Sequence, residues 1–418
     1  VVSLPAINFQ VTPSGTPKFE PAIAVNLLSP NIMVATSVFV QGTVPMTGAY
    51  VSFDGGATWS VNILPLPAGF AGAEAQYVAY GFPTNFFISA HAFTVDGLNG
   101  TTIVYRSFDN GITFEPPIIV APGYGVYTNN DETLIDVDNA QASPFRGNLY
   151  LAYNHQINIT VNPRSVFFFQ RSLDNGATWE QPKLLSDPLS IIERPDIAVG
   201  LTGIIYGGWI TTTPATQFLL RRSFDGGANF TDTVPVANVV LVPTVLPVPG
   251  YGFRVLTFPN LSADRTTLAF SGRLYAVWQD YRLGYSDIFI SISNNQGTTW
   301  STPKSVTGAP PGSQNFFPAL DVDPLMGVVN IIYYTNRVNG FLLDVFTARS
   351  IDGGSVFFNQ RVTTQSFNPN EGSPTPVTVI GDYIDIKTVT PSGYIGVWTD
   401  TRTGSQTIFA GFNTDPVI

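Results

Sequence analysis

The stretch SFDGGATWS, residues 52–60, decides the fold. Its aspartate can accept hydrogen bonds from backbone N–H groups two or three residues on. The glycine after it supplies the positive φ of a tight turn, and the tryptophan opens the next strand with a large packing face. Five further versions follow: SFDNGITF from Ser107, SLDNGATW from Ser172, SFDGGANF from Ser223, SNNQGTTW from Ser293 and SIDGGSVF from Ser350. They begin 51 to 70 residues apart, the length of a four-stranded propeller blade with variable loops. Asp54, Asp109, Asp174, Asp225, Asn295 and Asp352 are therefore read as turn residues that staple a third strand to a fourth.

A second repeat precedes each turn. EPAIAVN (20–26), ERPDIAVG (193–200), FPNLSAD (258–264) and FPALDVD (317–323), with looser forms AQYVAYG (75–81), DETLIDVD (131–138) and GDYIDIK (381–387), alternate with period two and read as innermost strands. Seven inner strands stand against six turns, and the last unit lacks a fourth strand. The N-terminal segment LPAINFQVT, 4–12, is a strand without a blade. Adding it to the last unit completes a seventh blade and removes exposed sheet edges. The expected fold is all-β, a single seven-bladed propeller closed by its own N-terminal strand, with six blades as the alternative. The expected blades span about 13–66, 67–120, 121–186, 187–238, 239–306, 307–363, and 364–418 with 1–12.

The pattern S-x-D-x-G-x-T-W resembles the Asp-box, or BNR repeat, of sialidase-like β-propellers. That resemblance implies that the boxes lie on the face opposite the active site and are structural. It also implies what a sialidase would need: three arginines on a carboxylate, a tyrosine nucleophile paired with a glutamate, and an acidic proton donor. Arg194, Arg254, Arg282, Arg337 and Arg402 are available, as are Tyr383 and Glu371. The Arg-Ile-Pro signature expected near the start of that family is missing, and seven blades would exceed the six of true sialidases.

Composition narrows the choices. With 44% apolar residues the chain can bury a large core. Only 19 basic residues face 29 acidic ones, so no broad basic surface is offered to nucleic acid. No window approaches the ~18–20 apolar residues of a membrane helix. The absence of cysteine excludes disulfides, thiolate metal sites and a cysteine nucleophile. A chain beginning at Val1 is expected to have lost a leader and to work extracellularly or at the cell surface. Asn99, Asn158, Asn229 and Asn260 are candidate glycosylation sites only.

Loops leading into the first strand and joining the second to the third share one face of a propeller. On that face stand the candidate catalytic residues Glu193, Arg194, Asp382 and Tyr383, and the candidate ligand-binding residues Tyr124, Tyr127, Tyr251, Arg254, Arg282 and Arg402. Glu20, Glu74 and Glu132 join them, and the apolar, proline-rich insertion 236–257 is expected to add contacts. WQDYRLG (278–284) and WTDTRTG (398–404) share W-x-D-x-R-x-G, which reads better as a loop-building motif than as a site. Asp131, Asp136 and Asp138 offer oxygen ligands that would suit Ca²⁺, although no cofactor is required. Strong frame motifs beside no complete catalytic set favour an exported, non-catalytic binding or assembly module with a glycan, a protein surface or its own copies as partner. The alternative is a sialidase-like glycoside hydrolase.

Overall fold

A computed structural model describes residues 7–161, 163–373, 379–389 and 393–413. Its strands form seven four-stranded antiparallel sheets arranged as the blades of a propeller. The innermost strands are Lys18–Val25, Gly72–Gly81, Thr128–Val137, Ile192–Val199, Asn260–Ala263, Asn315–Val322 and Asp385–Val389. Six blades run outward in chain order. The seventh takes its outermost strand, Ile7–Gln10, from the N-terminus, which pairs antiparallel with Thr407–Asn413 in the register Ile7↔Phe412 to Gln10↔Phe409. The ring is thus closed by the expected N-terminal strand, whose positions 4–6 lie outside the described residues.

Apolar side chains fill the spaces between blades in seven clusters among the described residues. One joins Ala22 and Val34 to Ile88 and Tyr105, and another joins Ile23 and Tyr50 to Ile395 and Ala410 across the closure. The insertion after the fourth blade packs there too. Val242, Leu246, Tyr251, Phe253 and Val255 are buried against Phe316, Phe317, Tyr334 and Phe367, because a segment this apolar gains more by covering blade surfaces than by meeting water. The insertion is thus divided: these five side chains are core, Val240, Leu241 and Val245 remain exposed, and Arg254 is carried to the channel mouth.

Each box turns between the third and fourth strands of its blade. In the first, the Ser52 hydroxyl donates to Asp54 at 2.8 Å and accepts from Gly56 N at 2.8 Å. Asp54 accepts from Thr58 N at 2.9 Å and Thr58 Oγ1 at 2.6 Å. The donor lies four residues on, not two or three, because Gly55 and Gly56 both take positive φ (73° and 90°) and widen the turn. Serine, not read from the sequence as a participant, is the hub of this network in all six boxes. The boxes also interlock. Arg171 donates to Gly226 O at 2.7 Å, Arg222 to Gln296 O at 3.1 Å and Arg273 to Gly353 O at 2.6 Å, each reaching from one blade to the next box. Gly55 N donates to Asn31 O, so the first box shares its face with the turn joining strands one and two, opposite the start of the inner strand.

Candidate functional site

The inner strands carry a β-bulge near their N-terminal ends. Pairing skips between Phe19 and Ala22, Glu74 and Tyr77, Asp131 and Leu134, Ile192 and Pro195, and Phe316 and Ala319. A bulge bends the strand and re-aims the unpaired side chains, which brings the glutamates among them to the mouth of the central channel and leaves Phe317 in the core. The first unpaired residues are Glu20, Ala75, Glu132, Glu193 and Phe317. Four of them hold left-handed backbone: Glu20 (φ 58°), Ala75 (49°), Glu132 (50°) and Phe317 (48°). A glutamate in that conformation is strained, and such strain persists where the surrounding structure over-determines it.

Asp382, just before the last inner strand, brings a further carboxylate to the group. Arg254 binds both its oxygens, Nε at 3.3 Å from Oδ1 and Nη2 on Oδ2. Across the mouth, the His91 imidazole lies 3.4 Å from Asp131, 3.7 Å from Glu74 and 3.1 Å from Asn129. Burial disfavours its charge, but Asp131 and Glu74 outweigh burial and raise its pKa to about 9. Glu20 is pushed well above the usual carboxylate range by burial and by Asp382, Glu132 and Glu74. Glu132 is pushed well up by burial, Asp131 and Asp382. Burial also raises Glu193 and Asp382, with Arg254 acting in the opposite direction on both.

The side chains of Glu20, Glu132 and Glu193 accept no hydrogen bond among the described residues, and Glu132 Oε2 is buried without one. Arg194 is only 8% exposed, yet its guanidinium makes no hydrogen bond or ion pair there. It is framed instead by the rings of Tyr383 at 4.6 Å, Tyr77 at 5.3 Å and Phe258 at 5.9 Å, contacts that hold a cation without consuming its donors.

Deeper in the channel the opposite holds. A cavity of about 140 Å³ is lined by Asp136, Asp196, Asp321, Asp385, Lys387 and Arg265 among others. Asp385 accepts from Ile23 N at 3.0 Å and Lys387 Nζ at 2.9 Å, Asp196 from Leu261 N at 2.5 Å, and Asp321 from Thr388 N at 2.7 Å. These carboxylates stitch one inner strand to its neighbour. These deeper carboxylates are committed to backbone or lysine donors, whereas Glu20, Glu132 and Glu193 at the mouth are not.

The remaining candidates separate accordingly. Asp280 and Asp400 are fully buried, accept from the indoles of Trp278 and Trp398 at 2.8 Å each, and fork onto Arg282 and Arg402 at 2.6 Å. Arg282 and Arg402 are thus frame residues, not ligand contacts. Arg337 is held likewise, by Tyr333 OH at 2.7 Å and Thr307 O at 3.1 Å. Tyr251 is buried and donates to Phe341 O at 2.5 Å, which takes it away from any ligand. Tyr383 reaches the mouth region, but its hydroxyl donates to Gln76 O at 2.6 Å and not to a glutamate. Burial and Glu20 push its pKa well up, the wrong direction for a phenolate nucleophile. Glu371 is exposed and accepts from Asn368 at 3.1 Å.

Asp131, Asp136 and Asp138 part company: Asp131 faces His91, Asp136 lines the channel, and Asp138 caps a turn through Ala140 N at 3.0 Å and Ser143 Oγ at 2.5 Å. Among the described residues no three His, Asp or Glu side chains are grouped to hold a metal ion. Tyr124 and Tyr127 stand out in solvent as a stacked pair. His91, Tyr77 and Lys387 were not singled out from the sequence as site residues. The signal for Glu20 and Glu132 was present, since both align with Glu193 at the head of the inner-strand motif.

The BNR/Asp-box repeat model matches residues 50–61, the first of the six turns. No curated protein matches it. Among solved structures it is similar to a GH93 α-L-arabinofuranosidase of Fusarium graminearum in complex with arabinobiose, at 12% identity over 98% of this chain and 97% of that one, with a TM-score of 0.56. It is similar to the Penicillium chrysogenum α-L-arabinanase complexed with arabinobiose, at 10% identity over 100% of both chains, with a TM-score of 0.52. A third is the NanB sialidase of Streptococcus pneumoniae, at 10% identity over 91% and 84%, with a TM-score of 0.51. At these identities the likeness is one of fold. Among the described residues no helix is long and apolar enough to cross a membrane.

Proposed function

We propose that the chain is a glycoside hydrolase acting on a neutral glycan at the channel mouth. One observation carries the reading: Glu20, Glu132 and Glu193 converge with Asp382 while lacking the partners that every deeper carboxylate has. Glycosidases need a carboxyl that keeps its proton at neutral pH beside a charged one. Glu132, raised by burial and by Asp131, fits the proton donor to the departing glycosidic oxygen. Asp382, gripped by Arg254, fits the carboxylate that faces the developing oxocarbenium charge. The glycosidases among the solved structures of similar fold support the class.

A sialoside is disfavoured. Three of the five available arginines are locked in the frame, and the mouth sets Glu20, Glu74, Asp131, Glu132, Glu193 and Asp382 against Arg194, Arg254 and His91. A second reading, non-catalytic glycan binding, is favoured by the Arg254 fork, which occupies both oxygens of Asp382. The test is a panel of aryl α-L-arabinofuranosides, β-xylosides, β-glucosides and sialosides together with neutral polysaccharides. Turnover of a neutral substrate, reduced about 10²–10⁴-fold by Glu132→Gln and Asp382→Asn without loss of folding, is the expected result. Binding without turnover would select the second reading, and neither would overturn both. Either way the protein would work outside the cell, where polymeric glycans are met, and fractionation of producing cells checks that.

A further inference from the structure

The loop between Ile118–Ala121 and Thr128–Val137 is built around two tyrosines that nothing in the fold uses. Tyr124 is 70% exposed and Tyr127 59% exposed, and their rings stack at 5.8 Å with an interplanar angle of 26°. Exposed aromatics on a mobile loop would mean little. This loop is fastened at every turn: Tyr124 N donates to Thr128 O at 2.9 Å, Tyr127 N to Tyr124 O at 3.0 Å and Asn158 N to Tyr127 O at 3.0 Å. Gly125 N donates to Asn99 Oδ1 at 2.6 Å and Gly123 N to Thr101 Oγ1 at 3.0 Å. Gly123 is pressed so closely onto the second blade that a Cβ there would meet Gly100 O at 2.3 Å. The loop backbone is therefore ordered before anything binds and presents the stacked rings together, so little main-chain freedom is left to lose.

We propose that Tyr124 and Tyr127 form a distal subsite on which a neutral sugar ring of the glycan chain stacks. The inference rests on reading the mouth as a glycan site. Three observations identify the occupant. The stretch APGYGVYTNN, 121–130, contains no charged residue, so it offers nothing to an ionic group. The flat faces of aromatic rings suit the C–H faces of a sugar, and a tyrosine adds a hydroxyl for a sugar hydroxyl. The strand that follows the loop leads straight to Glu132, five residues beyond Tyr127, a distance of about 16 Å along an extended chain. That separation is several sugar units, which makes the substrate a chain rather than a single terminal sugar.

Affinity electrophoresis through gels containing arabinan, xylan or mixed-linkage β-glucan tests the subsite directly, because retardation reads binding whether or not bonds are cut. The wild-type protein is expected to be retarded by at least one polymer. Tyr124→Ala/Tyr127→Ala should weaken that binding tenfold or more, and Tyr124→Phe/Tyr127→Phe, which keeps the rings, should stay within about twofold. Thermal unfolding verifies that both variants fold. With a hydrolysable substrate, the alanine pair should also lower the ratio of kcat/KM on long over short substrates about tenfold. Undiminished binding by the alanine pair, or no retardation of the wild type by any polymer, overturns the subsite. Loss of retardation in a protein that cuts nothing keeps the subsite and discards the hydrolase, whereas hydrolysis with an unchanged long-to-short ratio and unchanged retardation does the reverse.

Discussion

Replacing Asp400 by alanine is expected to damage the frame and spare the chemistry. Its oxygens accept from Trp398 Nε1 at 2.8 Å, Arg402 N at 2.9 Å and Arg402 Nη2 at 2.6 Å, and the side chain is fully buried. The same guanidinium donates to Asn8 Oδ1 at 3.2 Å and Thr364 Oγ1 at 3.0 Å and lies 4.5 Å from the Phe409 ring centre, so it also ties down the closing strand. Removing the carboxylate strands a largely buried guanidinium and an indole N–H, a change that costs about 3–5 kcal/mol. The entropy of unfolding is about 2.1 cal/mol/K per residue, or ~0.9 kcal/mol/K for this chain, so Tm should fall by about 3–6 °C. Asp280→Ala should cost less, because the Arg282 side chain is 29% exposed against 11% for Arg402 and can turn to water. Differential scanning calorimetry measures both shifts, and turnover at 25 °C of the folded variants measures the rest. A Tm within about 1 °C of wild type for Asp400→Ala would refute the staple, and lost turnover at an unchanged Tm would move these aspartates into the site.

Three further outcomes follow from the same geometry. Burial raises Asp136 to about 6 and Asp196 to about 7 from an ordinary 3.8. The native state then binds more protons than the unfolded chain between about pH 4 and 7, so these groups make stability fall as pH rises through that window, and Asp136→Asn should flatten its lower part in a Tm–pH profile. The raised carboxyl of Glu132 sets the sign for activity too: turnover should decline as pH climbs through its pKa, where the proton donor is lost. Deleting residues 1–12 removes the strand paired with Thr407–Asn413 and bares that edge. Size-exclusion chromatography should then show more self-association than the full chain does, and an unchanged elution profile would argue against closure by that strand.

Much of the fold was legible because it repeats. Asp54 and its five counterparts mark the third-to-fourth strand turns, and the surplus inner strand together with the orphan LPAINFQVT implied the closure that Ile7–Gln10 makes. Part of the candidate site was legible for the same reason, since Glu193, Arg194 and Asp382 stand at the head of inner-strand motifs and the structure brings them to one mouth. The W-x-D-x-R-x-G motif already pointed to Arg282 and Arg402 as loop-building residues, whereas Tyr251 could not be told from an exposed ring, because its burial depends on Phe341 far along the chain. Local chemistry set turns, strand period and blade number, as these depend on neighbours in the chain. Which polar groups are satisfied depends on contacts between residues far apart in it: Asp385 with Ile23, Asp196 with Leu261, Arg254 with Asp382. Only the closed ring brings those partners together. It thereby decides that the deeper carboxylates hold blades while Glu20, Glu132 and Glu193, at the bulges, keep no hydrogen-bond partner among the described residues.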